Sequence, residues 1–302
     1  MSPGLKLGAF GLLLAAVLGG GALVGAAAGP IDVGGGSEHT GATHDAASTE
    51  VEVGSTELPA GGLMVAQDGY RFEPEDRTAD AGPFAFTIVG PDGRPVESYE
   101  LLHDRELHLI VASRDLQQYA HVHPERDEDG RWSVDLPPFP AGSYRAFADF
   151  QPAAADQYTL GVDLTAPGAA PPAVSLEPQS VDTVDEYDVT LDRELTGAGS
   201  QVTVTIRRDG QVVTTEPYLG AAGHLVALRD GDLAYLHVHP LDDEPAGPVR
   251  FAVEVPSAGT YALFFDFQVD GVVRTARFVI DAAAPPPAPA DHSDAGPGDA
   301  HD

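Results

Sequence analysis

An internal duplication constrains the fold of this chain more than any other feature of its sequence. The motif His121-Val122-His123-Pro124 returns as His237-Val238-His239-Pro240, 116 residues later. Beyond the motif, Ala141–Gln151 matches Ala258–Gln268 at seven of eleven positions, with the offset increased to 117. Two copies indicate tandem domains, because a solenoid needs at least three repeats to bury its core.

Composition sets the limits of the two repeats. We assign residues 61–166 to the first repeat and 173–281 to the second, with a linker rich in Pro and Ala at 167–172. Residues 29–60 contain Gly, Ser, Thr, Ala and acids without apolar periodicity, which predicts a disordered spacer. Residues 282–302 form a second acidic segment of Pro, Ala, Asp and His that is also expected to be disordered.

The N-terminal segment, residues 1–28, predicts export from the cytoplasm. Leu7–Ala28 is uncharged and apolar and follows the basic Lys6, as in a secretory signal. Its 22 residues are also long enough to remain as a membrane anchor, and the sequence leaves both outcomes open. Either outcome places the repeats outside the cytoplasm, secreted or tethered to the outer face of the cell membrane.

Each repeat is expected to be an all-β domain. Its segments are short, rich in Val, Phe, Tyr and Thr, and separated by Gly, Pro and Asp, without a trustworthy helical period. The first repeat predicts strands at Tyr70–Phe72, Phe84–Val89, Glu106–Ala112, Tyr119–His123, Arg131–Leu136, Tyr144–Phe150 and Tyr158–Leu164. About seven strands in about 105 residues are typical of a β-sandwich.

A tyrosine in each copy refines this prediction to an immunoglobulin-like sandwich. Tyr144 and Tyr261 follow Ala-Gly-Ser or Ala-Gly-Thr, a step that resembles the tyrosine corner at the start of strand F in such domains. If these tyrosines point into the core, Asp149 and Asp266 face away from it, because side chains alternate along a strand. An acid between aromatics has poor β-propensity, so its recurrence makes it a candidate ligand.

The net charge and the absence of cysteine narrow the classes of partner. The net charge of −31 disfavours nucleic acid, and it leaves the N-terminal segment as the contact with a membrane. A cation is the natural small ligand of such a chain. Because there is no cysteine, disulfides, thiolate zinc sites and His/Cys copper centres are excluded.

The repeats therefore offer histidine and aspartate as metal ligands. Two histidines one residue apart in a strand project to the same face, and a third lies on the preceding predicted strand. The candidate ligands are His108, His121, His123 and Asp149 in the first repeat, and His224, His237, His239 and Asp266 in the second. Imidazole and carboxylate suit Cu(II) or Zn(II), and intrinsic affinity favours copper.

Other roles for these residues remain open. A His-x-His pair can also stabilise a strand without metal, and a duplication copies structural residues as faithfully as functional ones. His103 is a further candidate ligand in the first repeat only, because the second repeat has Leu219 there. Tyr119 and Tyr235 share the face of the histidine pair, and we expect them to be packed aromatic residues rather than partners of the ligands.

An enzymatic role is not expected. The sequence contains no Gly-x-Ser-x-Gly elbow, phosphate-binding loop or dinucleotide fingerprint. A three-histidine zinc site with an open position is able to activate water, but nothing in the sequence indicates a general base beside it.

The acidic, histidine-bearing β-sandwiches resemble exported bacterial copper-resistance and copper-handling proteins, some of which are tethered to the membrane. The resemblance covers the two repeats. It implies that the chain binds, buffers or delivers copper, as Cu(II), or zinc outside the membrane, with an envelope metal transporter or acceptor protein as its partner. The alternative is a metal-free interaction or structural module of the cell envelope, built from immunoglobulin-like repeats.

Overall fold

The structure, a computed structural model, describes residues 60–194, 200–236, 238–241, 247–253, 255 and 257–283. The predicted export segment, almost all of the spacer, most of the acidic tail and His237 lie outside these residues. No helix in the described part of the chain is long and apolar enough to cross a membrane.

The described residues form nineteen strands that divide between the two repeats. The first repeat contains β1 (Ala66–Gln67), β2 (Tyr70–Pro74), β3 (Gly82–Val89), β4 (Leu107–Ser113), β5 (Tyr119–Val122), β6 (Glu125–Arg126), β7 (Arg131–Leu136), β8 (Gly142–Phe150) and β9 (Tyr158–Ala166). The second repeat contains β10 (Val181–Val184), β11 (Tyr187–Glu194), β12 (Ser200–Arg208), β13 (Gln211–Val212), β14 (His224–Arg229), β15 (Tyr235–Leu236), β16 (Val238–Pro240), β17 (Val249–Val253), β18 (Gly259–Val269) and β19 (Val272–Ala282).

Each repeat folds into two antiparallel sheets. In the first repeat the sheet orders are β1-β2-β3-β7-β6 and β5-β4-β8-β9. In the second repeat they are β10-β11-β12-β17-β16, with β13 beside β12, and β15-β14-β18-β19. The predicted fold, two tandem immunoglobulin-like β-sandwiches, is confirmed, and all seven strands predicted in the first repeat are present.

Alternation along the strands builds a separate core in each repeat. Tyr144, Ala146, Ala148 and Phe150 of β8 point into the first core, and Tyr261, Leu263, Phe265 and Phe267 of β18 point into the second. Both tyrosine corners form: the Tyr144 hydroxyl donates to the Pro140 carbonyl at 2.7 Å, and the Tyr261 hydroxyl donates to the Ser257 carbonyl at 2.9 Å. These bonds fix the entry of each strand into the sandwich.

The two four-stranded sheets pack against each other through their opposite faces. All seven residues of β4 are buried, because one face covers the first core and the other faces the second repeat. The apolar side chains between the repeats are Ile110, Ala112, Leu116 and Phe147 from the first, and Val226, Leu228, Leu233, Ala262 and Phe264 from the second. Strands buried on both faces lack the alternation of polar and apolar residues that marks a solvent-exposed face.

The interface contains the same aromatic pair twice, because each repeat contributes the tyrosine of one pair and the phenylalanine of the other. Tyr119 of the first repeat stacks on Phe264 of the second, with ring centroids 4.1 Å apart and planes 4° apart. The duplicated counterparts, Tyr235 and Phe147, are 5.8 Å apart with planes at 45°. The same patch of each repeat is therefore used on both sides, as in a two-fold symmetric dimer.

The chain that enters the first repeat also contacts the second. The amide of Tyr235 donates to the Gly61 carbonyl at 2.9 Å, and the amide of Gly62 donates to the Thr159 carbonyl at 2.8 Å. The buried guanidinium of Arg145 donates to the Gly62 carbonyl at 2.8 Å. This short segment thus ties β9 of the first repeat to β15 of the second.

Candidate metal centre

Three of the predicted ligands converge at the end of the β4–β5 pair. His108 lies on β4 and His121 on β5, while His123 follows the last residue of β5. The antiparallel register pairs Ile110 with His121 and Leu109 with Val122, so its continuation puts His123 opposite His108. One ring nitrogen from each histidine lies within 4.8 Å of the others.

Two of the three histidines have a hydrogen-bond partner on the outer side of the ring. Nε2 of His108 is 2.8 Å from the Leu102 carbonyl, and Nδ1 of His121 is 2.8 Å from the Asp266 carboxylate. Both partners are acceptors, so each of these nitrogens must carry the proton. In a neutral imidazole the other nitrogen then has a lone pair and no hydrogen.

In the neutral rings, Nδ1 of His108 and Nε2 of His121 are therefore both acceptors. Nδ1 of His108 lies 2.9 Å from Nε2 of His121 and 3.2 Å from Nε2 of His123. Two lone pairs at such a distance repel unless a cation, either a metal ion or a proton, lies between them. Nitrogens that share one metal ion with bonds of ~2.0–2.1 Å are ~2.8–3.4 Å apart at angles of 90–110°, which matches this spacing.

Burial makes a proton unfavourable on His108 and on His123. His108 is 4% exposed, and its removal from water, followed by the nearby charge of His121, lowers its pKa to about 2. Removal from water lowers the pKa of His123 to about 3, with the charges of His121 and Arg105 acting in the same direction. Both rings are thus neutral at physiological pH, as ligation requires.

Asp266 reaches this cluster from the other repeat. Its carboxylate accepts hydrogen bonds from His121 at 2.8 Å, from the Tyr119 hydroxyl at 3.2 Å and from the Thr275 hydroxyl. The side chains of His121 and Asp266 are 6% and 4% exposed. The sequence predicted Asp266 as a ligand together with the histidines of the second repeat. Its carboxylate instead contacts His121 of the first repeat, because the two sheets pack face to face.

Asp149, the first-repeat counterpart, is not among the three-histidine group. It lies opposite His108 in the register of β4 and β8. Its carboxylate accepts hydrogen bonds from Gln157 at 3.0 Å and from Thr159 at 3.1 Å. Asp149 lines a cavity of about 320 Å³ together with His108, His121 and His224.

His224 repeats the environment of His108 in the second half. Its Nε2 is 2.9 Å from the Tyr218 carbonyl, as that of His108 is from Leu102, and burial lowers its pKa to about 4. Its ring centroid is 6.1 Å from those of His108 and His121 and 5.0 Å from that of His103. Among the side chains that the structure describes, four first-repeat histidines and one from the second therefore share this region.

The remaining second-repeat ligands are described only in part. His237 lies outside the described residues. The backbone of His239 belongs to β16 and pairs with Ala252 of β17. Their role as ligands stays a prediction.

Sequence reasoning missed the contribution that each repeat makes to the other. The signal was present in the outward positions of β4, β8, β14 and β18, where Ile110, Phe147, Val226 and Phe264 are apolar. A second apolar face predicts that something covers it, but it does not say what. Tyr119 shows the consequence, because it packs as expected and its hydroxyl also donates to Asp266.

Comparisons with solved structures find distant likenesses. A DUF4426 family protein from Pseudomonas aeruginosa PAO1 is 14% identical, with 34% of this chain and 96% of that chain covered and a TM-score of 0.27. A segment of two fibronectin type III domains from chicken tenascin is 10% identical, with 70% and 97% covered and a TM-score of 0.22. Invasin, a bacterial integrin-binding protein, is 11% identical, with 69% and 39% covered and a TM-score of 0.19.

No curated protein gives a significant match to the chain. One family profile matches it twice, over residues 65–168 and 182–284, and these two matches include both β-sandwiches. The chain therefore belongs to the family described as "Domain of unknown function (DUF8832)" and carries two copies of its domain.

Proposed function

We propose that this protein binds a divalent transition metal ion, Cu(II) in preference to Zn(II), outside the cytoplasm, and that it buffers or delivers this ion. The observation that carries the proposal is the contact of 2.9 Å between Nδ1 of His108 and Nε2 of His121, two nitrogens whose rings donate their hydrogens elsewhere. A metal ion relieves the repulsion between these lone pairs, and burial disfavours a competing proton on His108.

The ligand types support the choice of metal. Three neutral imidazoles suit Cu(II) and Zn(II), and the Irving–Williams order favours copper. The site has no sulfur ligand, because the chain lacks cysteine and has only two methionines. We therefore expect a preference for Cu(II) over Cu(I).

Location and partners belong to the same proposal. The uncharged segment Leu7–Ala28 predicts export, and the strong negative charge favours the approach of a cation. A binding protein in the envelope exchanges its ion with a transporter or an acceptor protein, and we propose such a partner. The relation to exported copper-handling proteins remains part of this proposal, as does a role in binding rather than in catalysis.

The test uses the full chain without an affinity tag, after a chelator has removed bound metal. Titration with Cu(II) and with Zn(II) in a calorimeter is expected to show stoichiometric binding. The double variant His121→Ala/His123→Ala should lose the ion at the cluster while its circular dichroism spectrum remains that of the wild type. Binding should also raise the free energy of unfolding, by ~2.7 kcal/mol at a free ion concentration of 100 Kd.

The control variant His292→Ala/His301→Ala removes two imidazoles from the C-terminal segment, outside the cluster. It should bind the ion as the wild type does. If the wild type takes up neither metal, or if both double variants bind equally, the proposal is wrong. Absence of binding in the wild type would favour the metal-free envelope module instead.

A further inference from the structure

Polar side chains of the two repeats form hydrogen bonds with each other at the histidine cluster. Asp266 of the second repeat accepts the Nδ1 hydrogen of His121, and the Tyr119 hydroxyl, also from the first repeat, donates to the same carboxylate oxygen. The hydroxyl of Thr275 donates to the other oxygen of the Asp266 carboxylate. With donors on both of its oxygens, Asp266 is held in one orientation by groups from both repeats.

This contact has a direct effect on the ligand. A hydrogen bond from Nδ1 to a carboxylate selects the tautomer of His121 whose Nε2 is free to bind a metal, and it makes that nitrogen more basic. Metal binding in turn makes the Nδ1 hydrogen a stronger donor. The bond between the repeats and the bond to the ion therefore strengthen each other.

A second contact between the repeats joins His103 of the first repeat to His224 of the second. His103 belongs to a tight turn of the first repeat, yet its ring centroid is 5.0 Å from that of His224 and 6.2 Å from that of His108. Within the three-histidine cluster the ring centroids are 4.8–5.1 Å apart. Two imidazoles on one ion have centroids ~4.5–5.3 Å apart for bonds of ~2.0–2.1 Å, and the spacing of the His103 and His224 rings falls within this range.

We propose that the metal centre is composite, with each repeat completing the site of the other. Asp266 positions His121 in the first site, and His103 is a ligand, with His224, of a second ion. This inference rests on the proposed function. Its consequence is that metal affinity and docking of the repeats are linked: docking strengthens metal binding by the same free energy by which metal binding strengthens docking.

The first experiment compares the two duplicated carboxylates. Asp266→Asn keeps the size of the side chain but removes its charge, and it should lower the affinity of the first site by ~10–100-fold. Asp149→Asn is the matched comparison at the duplicated carboxylate, which accepts hydrogen bonds from Gln157 and Thr159, and it should lower the affinity of the first site less. The spectrum of bound Cu(II) should change in the Asp266 variant alone, because the orientation of His121 alters the ligand field.

The second experiment tests the linkage without altering a ligand or its hydrogen-bond partner. Phe264→Leu weakens the stacking on Tyr119 between the repeats. Phe72→Leu is the control, since Phe72 is equally buried but lies in the core of the first repeat. Both variants should be less stable than the wild type, but only Phe264→Leu should lower metal affinity, by a few-fold.

The third experiment concerns His103. The substitution His103→Leu is compatible with the turn, because the corresponding Leu219 adopts the same backbone conformation, with φ of 51° against 47°. It should abolish or weaken binding of the second ion while the first ion still binds. A second ion bound as tightly as in the wild type would show that His103 is not its ligand.

These outcomes separate the inference from the proposed function. If the wild type binds no metal, the proposed function fails. If the wild type binds metal and the Asp266, Phe264 and His103 variants bind it equally well, the site is independent of the second repeat and the composite centre is wrong. A loss of affinity in Asp149→Asn rather than in Asp266→Asn would restore the arrangement in which each repeat holds its own ion.

Discussion

The duplication produced two equivalent tyrosine–phenylalanine contacts across the interface, and their geometries differ. Tyr119 stacks on Phe264 with parallel rings and donates to Asp266. The counterpart rings of Tyr235 and Phe147 are further apart and tilted. The residues that meet across the interface are copies, so the difference must come from residues around them.

Three unduplicated features account for the difference. The carboxylate of Asp149 accepts a hydrogen bond from Gln157, whose counterpart is Val273. The segment at Gly62 packs against the Phe147 ring and is tied to Tyr235 through Gly61. Finally, His103 stands where the second repeat has Leu219. Duplication thus fixed which faces meet, and local substitutions decided which groups bond there.

The largest expected effect is on docking of the aromatic pairs. Phe264→Ala should reduce the free energy of unfolding by ~3–5 kcal/mol, since it empties a buried ring site. Phe147→Ala should reduce it somewhat less, because the tilted ring loses no parallel stacking, which contributes ~0.5–1.5 kcal/mol. Urea denaturation of both variants measures the difference, and a larger loss in Phe147→Ala would contradict this ranking.

The entry segment offers a matched pair of glycines. Gly62 and Gly210 have φ of 75° and 77°, so alanine is similarly strained at both positions. A Cβ at Gly62 would lie 2.4 Å from the Phe147 ring, whereas one at Gly210 would meet nothing within 4 Å. We expect Gly210→Ala to lose ~1–2 kcal/mol of stability and Gly62→Ala to lose ~1–3 kcal/mol more. Equal losses in thermal and urea unfolding would show that the segment moves away freely.

Acidification should destabilise the metal-free protein through its buried histidines. Burial lowers the pKa of His224 to about 4 and that of His108 to about 2, below the ~6.5 of an unfolded chain. Between these values the unfolded state binds more protons, so stability falls as the pH decreases, by at most ~1.4 kcal/mol per pH unit for each histidine. The loss from His224 ends near pH 4, and that from His108 continues toward pH 2.

Urea unfolding of the metal-free chain between pH 7.5 and 4.5 measures this slope. His108→Gln and His224→Gln should each make the slope shallower than in the wild type. A slope that neither variant changes would mean that the two imidazoles are not held neutral by burial.

The smallest expected effect distinguishes the two tyrosines. Tyr119→Phe removes one hydrogen bond of 3.2 Å to the Asp266 carboxylate and should reduce stability by ~1 kcal/mol. Tyr235→Phe is the matched change in the second repeat, at a buried tyrosine close to the charges of Asp149 and Asp266. Equal changes in the free energy of unfolding would place both tyrosines in the same role.

Much of the fold was predictable because its signals are local. The short runs rich in Val, Phe, Tyr and Thr, the turn residues and the step before Tyr144 together indicate strands, their inward faces and the tyrosine corner. The convergence of His121 with His108 follows in the same way, since adjacent antiparallel strands bring same-face side chains together. The structure places these residues as that reasoning expects.

The partners across the interface were not predictable. Alternation assigned Asp266 and Phe264 to the face away from their own core, but it carries no information on what covers that face. The same sequence is compatible with two isolated sandwiches, each with its own set of ligands. Only the packing of the two sheets decided that the carboxylate of Asp266 serves His121.

The sequence by itself therefore determined the number of domains, their all-β architecture and which residues share a strand face, because these depend on neighbours along the chain. The tertiary structure alone decided that Asp266 bonds to His121, that Tyr119 stacks on Phe264 and that His103 lies beside His224. These contacts join residues separated by more than one hundred positions. They arise from shape and burial between two folded surfaces, which no local pattern encodes.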